Sequence, residues 1–244
     1  MLNCYYMDYT GGCSDEQSLV LYEQLNESRK ARVDKIKNPD MKRKQILTGA
    51  FVQQCLSKEL GINVAAIRLS ENEYGKPFVL GVNIHFNLSH SGKYAVLAVS
   101  DSNVGIDIER KTKDCMKLAK RFFCKEECDL LASLETQEEL ENAFLRYWTI
   151  KEAYVKCIGT GLILPLNSFC VKQIEQRWIV DVGDVVPCKD IDLNRRIGIS
   201  SFDFFEEYKV AICKEGATTD DFPTDKTFVK EFKWNEYFES SKFW

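Results

Sequence analysis

Two features that mark exported and membrane proteins are missing from this 244-residue sequence. No basic segment followed by an apolar run occurs at its start, which predicts a protein without a secretory signal. No apolar stretch approaches the roughly 18 residues that a membrane span requires. We therefore expect a cytoplasmic protein with no membrane partner, whose ten cysteines are reduced thiols.

The sequence also lacks a zinc motif and an excess of basic residues. No Cys-x-x-Cys pair occurs, and we interpret the closest pair, Cys124 and Cys128, as small apolar residues on a helix. Lysine and arginine number 33 against 37 aspartates and glutamates, which gives a formal net charge of −4. This balance argues against a general nucleic-acid binder. Any anion site must therefore be built from a local cluster of basic residues.

The composition that remains is typical of a globular protein, with 45% hydrophobic residues. Helical periodicity predicts one long helix over 40–60 that ends at Gly61, and a second over 137–157 that ends at Gly159 and Gly161. Extended segments follow each helix. This repeated order predicts an α+β fold of two pseudosymmetric halves, each with a long helix on a small antiparallel sheet and with a cleft between them.

Shorter patterns predict the remaining elements. A polar segment, 87–92, is interpreted as a tight loop that could form an anion nest, followed by a hairpin of strands 93–100 and 104–110. A turn is expected at 74–77. Further helices are predicted from 15 toward 37, over 115–121 and on to 133, and strands over 168–174, 177–182, 197–201 and 208–213.

Three carboxylates and a lysine carry the strongest chemical signal. On a strand, Asp107 and Glu109 point to the same face. On the second long helix, Glu152 and Lys156 lie one turn apart. Convergent carboxylates are the hard oxygen ligands that Mg²⁺ accepts, and a lysine beside them suits a phosphate oxygen. A solvated carboxylate face and an unrelated amphipathic helix would give the same pattern.

Basic and polar residues elsewhere suggest an anion site. Arg43 and its neighbours Lys42 and Lys44 lie near the start of a helix, where the helix dipole does not favour cations, so either they are solvated or an anion lies with them. We interpret His90 as functional and His85 as structural.

The segment from Lys111 to Lys125 is the most basic part of this acidic chain. Its lysines alternate with Leu118, Phe122 and Phe123, a mixture that suits an acidic, amphipathic helical partner. A solvated charged face is the simpler explanation.

Five motifs occur together and in one order, and in that combination the chain resembles the broad-range, surfactin-type 4′-phosphopantetheinyl transferases. The resemblance covers nearly the whole chain. Its motifs are Tyr74-Gly75-Lys76-Pro77, Asn87-Leu88-Ser89-His90-Ser91, Val104-Gly105 before Asp107-Ile108-Glu109, 121–127 (RFFCKEE) and 148–156 (WTIKEAYVK).

The resemblance implies transfer of 4′-phosphopantetheine from coenzyme A to a serine of an acyl or peptidyl carrier protein, with Mg²⁺ or Mn²⁺ bound in a cleft. It implies that residues 1–103 contact the nucleotide, and that residues 104–244 carry the metal site and dock the carrier. A monomer is expected. The implied metal ligands are Asp107, Glu109 and Glu152, with Glu152 also the base and Lys156 on the pyrophosphate. Contacts to the 3′-phosphate are implied for Arg29, Arg32, Arg43, Ser89 and His90, and contacts to adenine for Tyr74, Gly75, Lys76 and Pro77.

Several points stay open at this stage. Lys30 and Lys35 compete with the two arginines of the first basic helix for the 3′-phosphate, and Lys44 competes with Arg43. The catalytic motifs alone would also fit a metal-dependent nuclease, although the acidic balance opposes it. A coenzyme A-binding module without activity is a third interpretation.

Overall fold

The computed structural model describes residues 1–10, 13–175, 177–182, 195–218, 222 and 225–240. Within these residues lie seven α-helices and eleven strands. The helices are α1 (Asp15–Gln24), α2 (Glu27–Asp34), α3 (Pro39–Leu60), α4 (Cys115–Phe122), α5 (Lys125–Ala132), α6 (Gln137–Ile158) and α7 (Trp234–Ser240). The strands are β1 (Leu2–Asp8), β2 (Leu69–Glu71), β3 (Pro77–Val79), β4 (His85–Ser91), β5 (Tyr94–Ser100), β6 (Val104–Arg110), β7 (Cys170–Ile174), β8 (Arg177–Asp181), β9 (Ile197–Phe204), β10 (Tyr208–Glu215) and β11 (Val229–Glu231).

Helix α3 organises the first half. Asn38 caps its N-terminus by accepting a hydrogen bond from the Met41 amide at 3.0 Å. Gly61 ends it in the left-handed conformation (φ 63°), which a residue without Cβ adopts freely. Its buried face, which includes Leu47 and Phe51, packs on a sheet of order β11-β1-β5-β4. The predicted helix and its glycine cap are confirmed.

Helix α6 has the same role in the second half. A capping box formed by Thr136 and Glu139 begins it, and Gly159 (φ 82°) ends it. Its buried face packs on a sheet of order β6-β10-β9, in which all neighbours are antiparallel. The predicted α+β architecture, with a long helix on a small sheet in each half, is confirmed.

The two sheets meet along their edge strands, β4 and β6. A third apolar cluster fills the angle between them, with Val96 from the first sheet and Ile106, Ile108 and Val210 from the second. Because this cluster belongs to both halves, it fixes the seam where the polar residues of β4 and β6 face each other.

Two local predictions are wrong. The proposed hairpin over 93–110 does not form, since β5 pairs with β4 and β1 while β6 pairs with β10. The connection through Ser102 instead carries the chain from one sheet to the other. The segment predicted as a loop, 87–92, is strand up to Ser91, because residues 87–91 pair with β5 as part of strand β4.

The end of the chain returns to the first half. Strand β11 runs parallel to β1, and Trp234 is buried in the core around α3. The first sheet therefore contains strands from both ends of the described chain. The predicted division at 103/104 assigned the strand at residues 229–231 to the other half. That division of roles between the halves stays a prediction.

Cys124 and Cys170 form a disulfide, with their Cα atoms 5.7 Å apart. The expectation of reduced thiols is therefore wrong for this pair. The pairing follows from the fold, because Cys124 caps α5 and α5 packs against β7, where Cys170 is the first residue. Cys128 is a free, half-buried thiol, as predicted, and Cys188 lies outside the described residues.

Among the described residues, no helix combines the length and the apolar character needed to cross a membrane.

Candidate active site

Strand β4 presents alternate polar side chains to β6. Residues 87, 89 and 91 share one face of β4 because strand side chains alternate. Each of the three bonds to a different residue of β6, so the two edge strands are joined through side chains and not by a backbone ladder. Asn87 Oδ1 accepts from the Ile106 amide at 2.9 Å, Ser89 Oγ donates to Asp107 Oδ1 at 2.7 Å, and Ser91 Oγ donates to Glu109 Oε2 at 2.8 Å.

Asp107 lies at the centre of this seam and is 2% exposed. Lys156 of α6 donates to its Oδ1 at 2.5 Å and to Ser89 Oγ at 3.0 Å. The second carboxylate oxygen, Oδ2, is buried and has no hydrogen-bond partner. A buried, unpaired carboxylate oxygen is costly, so this atom marks a position suited to a cation.

Glu109 and Glu152 add two more carboxylates. Burial and the charge of Asp107 raise the pKa of both side chains, and Lys156 opposes the rise in each case. The cluster therefore holds more negative charge than its lysine offsets. Hard oxygen donors with an orphaned buried oxygen fit a divalent cation such as Mg²⁺.

The three carboxylates do not yet form a closed ligand set. Among the described residues, Cys124, Glu126 and Cys170 form the group of three potential metal ligands whose ligand atoms all lie within 4.8 Å of one another. Two of those sulfurs are joined as the disulfide. The oxygens of Asp107, Glu109 and Glu152 do not all lie within 4.8 Å of one another. Mutual repulsion between carboxylates favours such a separation.

Gly105 sets how closely α6 approaches β6. A Cβ at this position would lie 2.0 Å from the Ala153 carbonyl oxygen and 2.4 Å from the Cys157 amide nitrogen. No side chain fits in that space. The helix backbone therefore rests directly on the strand backbone two residues from Asp107.

A cavity of about 500 Å³ opens between α2, α3, β4 and the β2–β3 hairpin. Arg29 and Arg32 lie on its wall, as do Gly75 and Pro77. Arg29 donates to the Gln45 side chain at 2.7 Å, but its Nε is buried without a partner. The cavity therefore combines cationic donors with a hairpin turn.

The structure separates Arg43 from Lys44. Arg43 pairs with Asp15 at 3.1 Å and does not line the cavity. Lys44 donates to the Gly92 carbonyl at 3.3 Å. Loss of solvent around the His90 ring lowers its pKa, and Lys156, Lys44 and Arg29 lower it further. Of the two predicted candidates, Lys44 is thus the one near His90.

The four residues of the turn at 74–77 do not all face the cavity. The Lys76 ammonium points away from the cavity and donates to backbone carbonyls of the second half. Tyr74 is half-buried. Only Gly75 and Pro77 of this motif reach the cavity wall.

Sequence reasoning missed Asn87 as a seam residue and Ser91 as the partner of Glu109. Their signal was the period of two in Asn87-Leu88-Ser89-His90-Ser91, where Leu88 also lines the cavity. That alternation is typical of a strand with one polar and one apolar face.

Lys151, which precedes Glu152 in its motif, lies outside the site. It is fully buried and pairs with Glu127 at 2.9 Å. It also donates to the carbonyls of Leu166 and Phe169 at 2.8 and 2.6 Å. This network joins α5 and β7 to the helix that carries Glu152.

The basic segment 111–125 exposes cations beside half-buried apolar groups. Leu118 and Phe122 are half-buried, whereas Phe123 is buried and stacks on Phe144 with ring centroids 5.2 Å apart. Phe123 is therefore a core residue rather than a contact. The exposed cations are Lys113, Lys117, Lys120, Arg121 and Lys125.

Comparisons with known proteins match both halves. Residues 103–213 match the family model described as the 4′-phosphopantetheinyl transferase superfamily, and residues 13–102 match that of the 4′-phosphopantetheinyl transferase N-terminal region. The chain is similar to 4′-phosphopantetheinyl transferase Sfp of Bacillus subtilis (strain 168), with 31% identity over 228 residues, 92% of this chain and 95% of that protein. It is also similar to 4′-phosphopantetheinyl transferase gsp of Aneurinibacillus migulanus, with 33% identity over 190 residues, 77% of this chain and 75% of that protein.

Among solved structures, a holo-(acyl-carrier-protein) synthase from Bacillus anthracis in complex with CoA (3′,5′-ADP) aligns with a TM-score of 0.39 and 20% identity, over 48% of this chain and 97% of that chain. The matches to family models and to relatives span nearly the full length described above. This chain belongs to the 4′-phosphopantetheinyl transferase superfamily.

Proposed function

We propose that this protein transfers the 4′-phosphopantetheine group of coenzyme A to a serine hydroxyl of an acyl or peptidyl carrier protein. The observation that carries the proposal is the buried Asp107, paired with Lys156 on one oxygen and unpaired on the other, in a chain that also holds an arginine-lined cavity. Family membership supports the same reaction. Neither a nuclease nor an inactive module receives support from the matched families.

The nucleotide end of coenzyme A fits the cavity. Arg29 and Arg32 line the cavity and supply cations for the 3′-phosphate. His90 lies near Arg29 and Lys44 and adds a further donor. Guanidinium groups bind phosphate through paired, charge-assisted hydrogen bonds. The backbone around Gly75 lies where an adenine ring would contact the hairpin.

A divalent cation, Mg²⁺ or Mn²⁺, fits the carboxylates of Asp107, Glu109 and Glu152. Bound there, it would neutralise negative charge on the pyrophosphate during phosphoryl transfer. Lys156 would donate to a pyrophosphate oxygen and stabilise the charge that develops on the leaving phosphate.

The chain's own groups can place and activate the acceptor. The serine oxygen forms the new bond to the phosphorus that carries pantetheine, and the bond from that phosphorus to the adenosine 3′,5′-bisphosphate oxygen breaks. Glu152 takes the hydroxyl proton, directly or through one water. Glu152 suits this role because it lies on the long helix α6, one turn before Lys156, where its carboxylate is held in a fixed position.

The carrier would dock on the exposed cations of segment 111–125, which contains α4 and the first residue of α5. Surface charges of this kind orient an acidic partner during encounter. A monomeric state and a cytoplasmic location remain parts of the proposal, and sedimentation with and without a carrier tests the first.

The test is the intact mass of a serine-bearing apo carrier protein after incubation with coenzyme A and Mg²⁺. A gain of about 340 Da is expected for phosphopantetheine transfer. Asp107→Ala should remove the gain, whereas Asp40→Ala, an exposed carboxylate in the first turn of α3, should keep it. No gain with wild type across several carriers would overturn the proposal, and full activity of Asp107→Ala would overturn the metal site.

A further inference from the structure

We infer that Lys76 is a positioning residue that couples the nucleotide-binding hairpin to the helix and strand that carry the carboxylates. The inference rests on the proposed function, since it assumes that a nucleotide occupies the cavity. Lys76 belongs to the β2–β3 hairpin of the first half. Its ammonium, however, bonds only to the second half among the described residues.

Three backbone carbonyls receive the three N–H donors of this ammonium. The distances from Nζ are 2.7 Å to the Lys156 oxygen, 3.0 Å to the Val104 oxygen and 3.3 Å to the Cys157 oxygen. An ammonium has three donors and no acceptor, so all of its hydrogen-bonding capacity is used. Lys76 is therefore not available to a phosphate of the substrate.

The positions of these carbonyls suit a cation. Lys156 and Cys157 lie in the last turn of α6, where carbonyls lack intrahelical partners and the helix dipole is negative. Burial lowers the pKa of Lys76, because the charged ammonium loses its contact with water. The three carbonyls compensate for the water that the ammonium has lost.

Asn72 fixes the turn that presents Lys76. Its Oδ1 accepts from the Tyr74 and Lys76 amides at 3.0 and 2.8 Å. Its Nδ2 donates to the Gly159 carbonyl at 3.1 Å, at the C-cap of α6. The hairpin turn is thus held against the end of α6 at two points, by Asn72 and by Lys76.

The same ammonium also sets the site itself. Val104 begins β6, three residues before Asp107, and Lys156 is the residue whose side chain pairs with Asp107. One lysine therefore ties strand, helix and hairpin together. Because Gly75 and Pro77 line the cavity on either side of Lys76, a nucleotide that orders the hairpin would also order the last turn of α6.

Three variants and a control test the inference. Lys76→Met keeps the length but removes the donors, Lys76→Arg keeps a cation, and Asn72→Ala weakens the second tie. The control is Lys37→Met, at an exposed lysine. We expect Lys76→Met to lower kcat by about tenfold to a hundredfold through misplacement of the reacting groups, while affinity for adenosine 3′,5′-bisphosphate changes less than about threefold. Lys76→Arg should recover part of kcat, and Asn72→Ala should show the same pattern more weakly.

A second readout separates coupling from general loosening. In the wild type, adenosine 3′,5′-bisphosphate should slow amide hydrogen exchange in residues 155–159. In Lys76→Met the ligand should still bind but give no protection there. If Lys76→Met does not fold, the same comparison on Asn72→Ala decides the question.

Distinct outcomes address the two proposals. Three results in Lys76→Met would each overturn the positioning role while wild-type transfer still stood. They are a normal kcat, a loss of nucleotide affinity as large as the loss of kcat, and unchanged ligand protection of residues 155–159. Wild-type protein that neither binds adenosine 3′,5′-bisphosphate nor modifies a carrier would overturn both.

Discussion

Lys156 of α6 and Asp107 of β6 form a direct ion pair at 2.5 Å, and Ser89 of the opposite sheet bonds to both. One contact therefore joins the helix, its own sheet and the edge of the first sheet. The remaining oxygen of Asp107 is left unpaired at the junction of all three. A cation bound there would stabilise the seam as well as the substrate.

Glu152→Gln is expected to stabilise the metal-free protein at neutral pH. Burial and Asp107 raise the pKa of Glu152 above its usual 4.5. Below 4.5 both the folded and unfolded states hold the proton, so the group costs nothing; as pH rises toward the raised value, the unfolded state loses its proton first and stability falls. Urea unfolding in EDTA should show the variant's advantage grow above pH 4.5 and then level off.

Millimolar Mg²⁺ should reverse that order at neutral pH, by stabilising wild type more than Glu152→Gln. The electrostatic account would be contradicted if the stability advantage of Glu152→Gln in EDTA did not depend on pH. It would also be contradicted if wild type were the more stable protein in EDTA at neutral pH.

Lys151→Met is expected to lower the free energy of unfolding by about 3 kcal/mol or more, because it leaves the buried Glu127 without its cation. Lys151→Met combined with Glu127→Gln should lose less than the single change. The control is Lys172→Met, which breaks the partly exposed pair with Asp181 and should cost at most about 1 kcal/mol. Equal losses for both lysines in urea unfolding would refute the buried network.

Reduction of Cys124–Cys170 is expected to lower the unfolding free energy by about 2–4 kcal/mol, because the bond closes a long loop in the unfolded chain. Melting with and without dithiothreitol measures the loss. Cys170→Ser should melt like reduced wild type in both conditions, and Cys128→Ser should keep the sensitivity. The same thiol count in denatured protein before and after reduction would show that the bond is absent.

Lys117→Glu with Lys120→Glu is expected to raise the KM for the carrier severalfold. Exposed charges act over about 8–10 Å at physiological ionic strength, so the effect should shrink as salt increases. Affinity for coenzyme A should not change. The matched control, Lys230→Glu with Lys233→Glu, makes the same charge change on exposed lysines near the C-terminus. A carrier KM at the wild-type value across a salt titration would exclude docking on segment 111–125.

Local patterns predicted what is local in this fold. Glycine caps set the ends of both long helices, and alternation placed Asp107 and Glu109 on one face of a strand. The strand β4 was mistaken for a loop because Asn, Ser and His favour turns, and only contacts with β5 and β6 make them extended.

Contacts between distant segments were beyond the sequence. Lys76 and Lys156 are 80 residues apart, and the disulfide joins residues 46 apart. Neither spacing carries a signal in one sequence, because each depends on how α6 and its neighbours pack. Lys76 in particular was expected to contact adenine, whereas its ammonium bonds to carbonyls of the second half and only its neighbours Gly75 and Pro77 line the cavity.

Gly105 has a consequence for how far this site can vary. Since α6 touches β6 backbone to backbone at this residue, main-chain atoms limit how closely the helix that carries Glu152 approaches the strand that carries Asp107. A single added methyl group at position 105 would push the helix away from the strand and increase the separation between the Asp107 and Glu152 carboxylates.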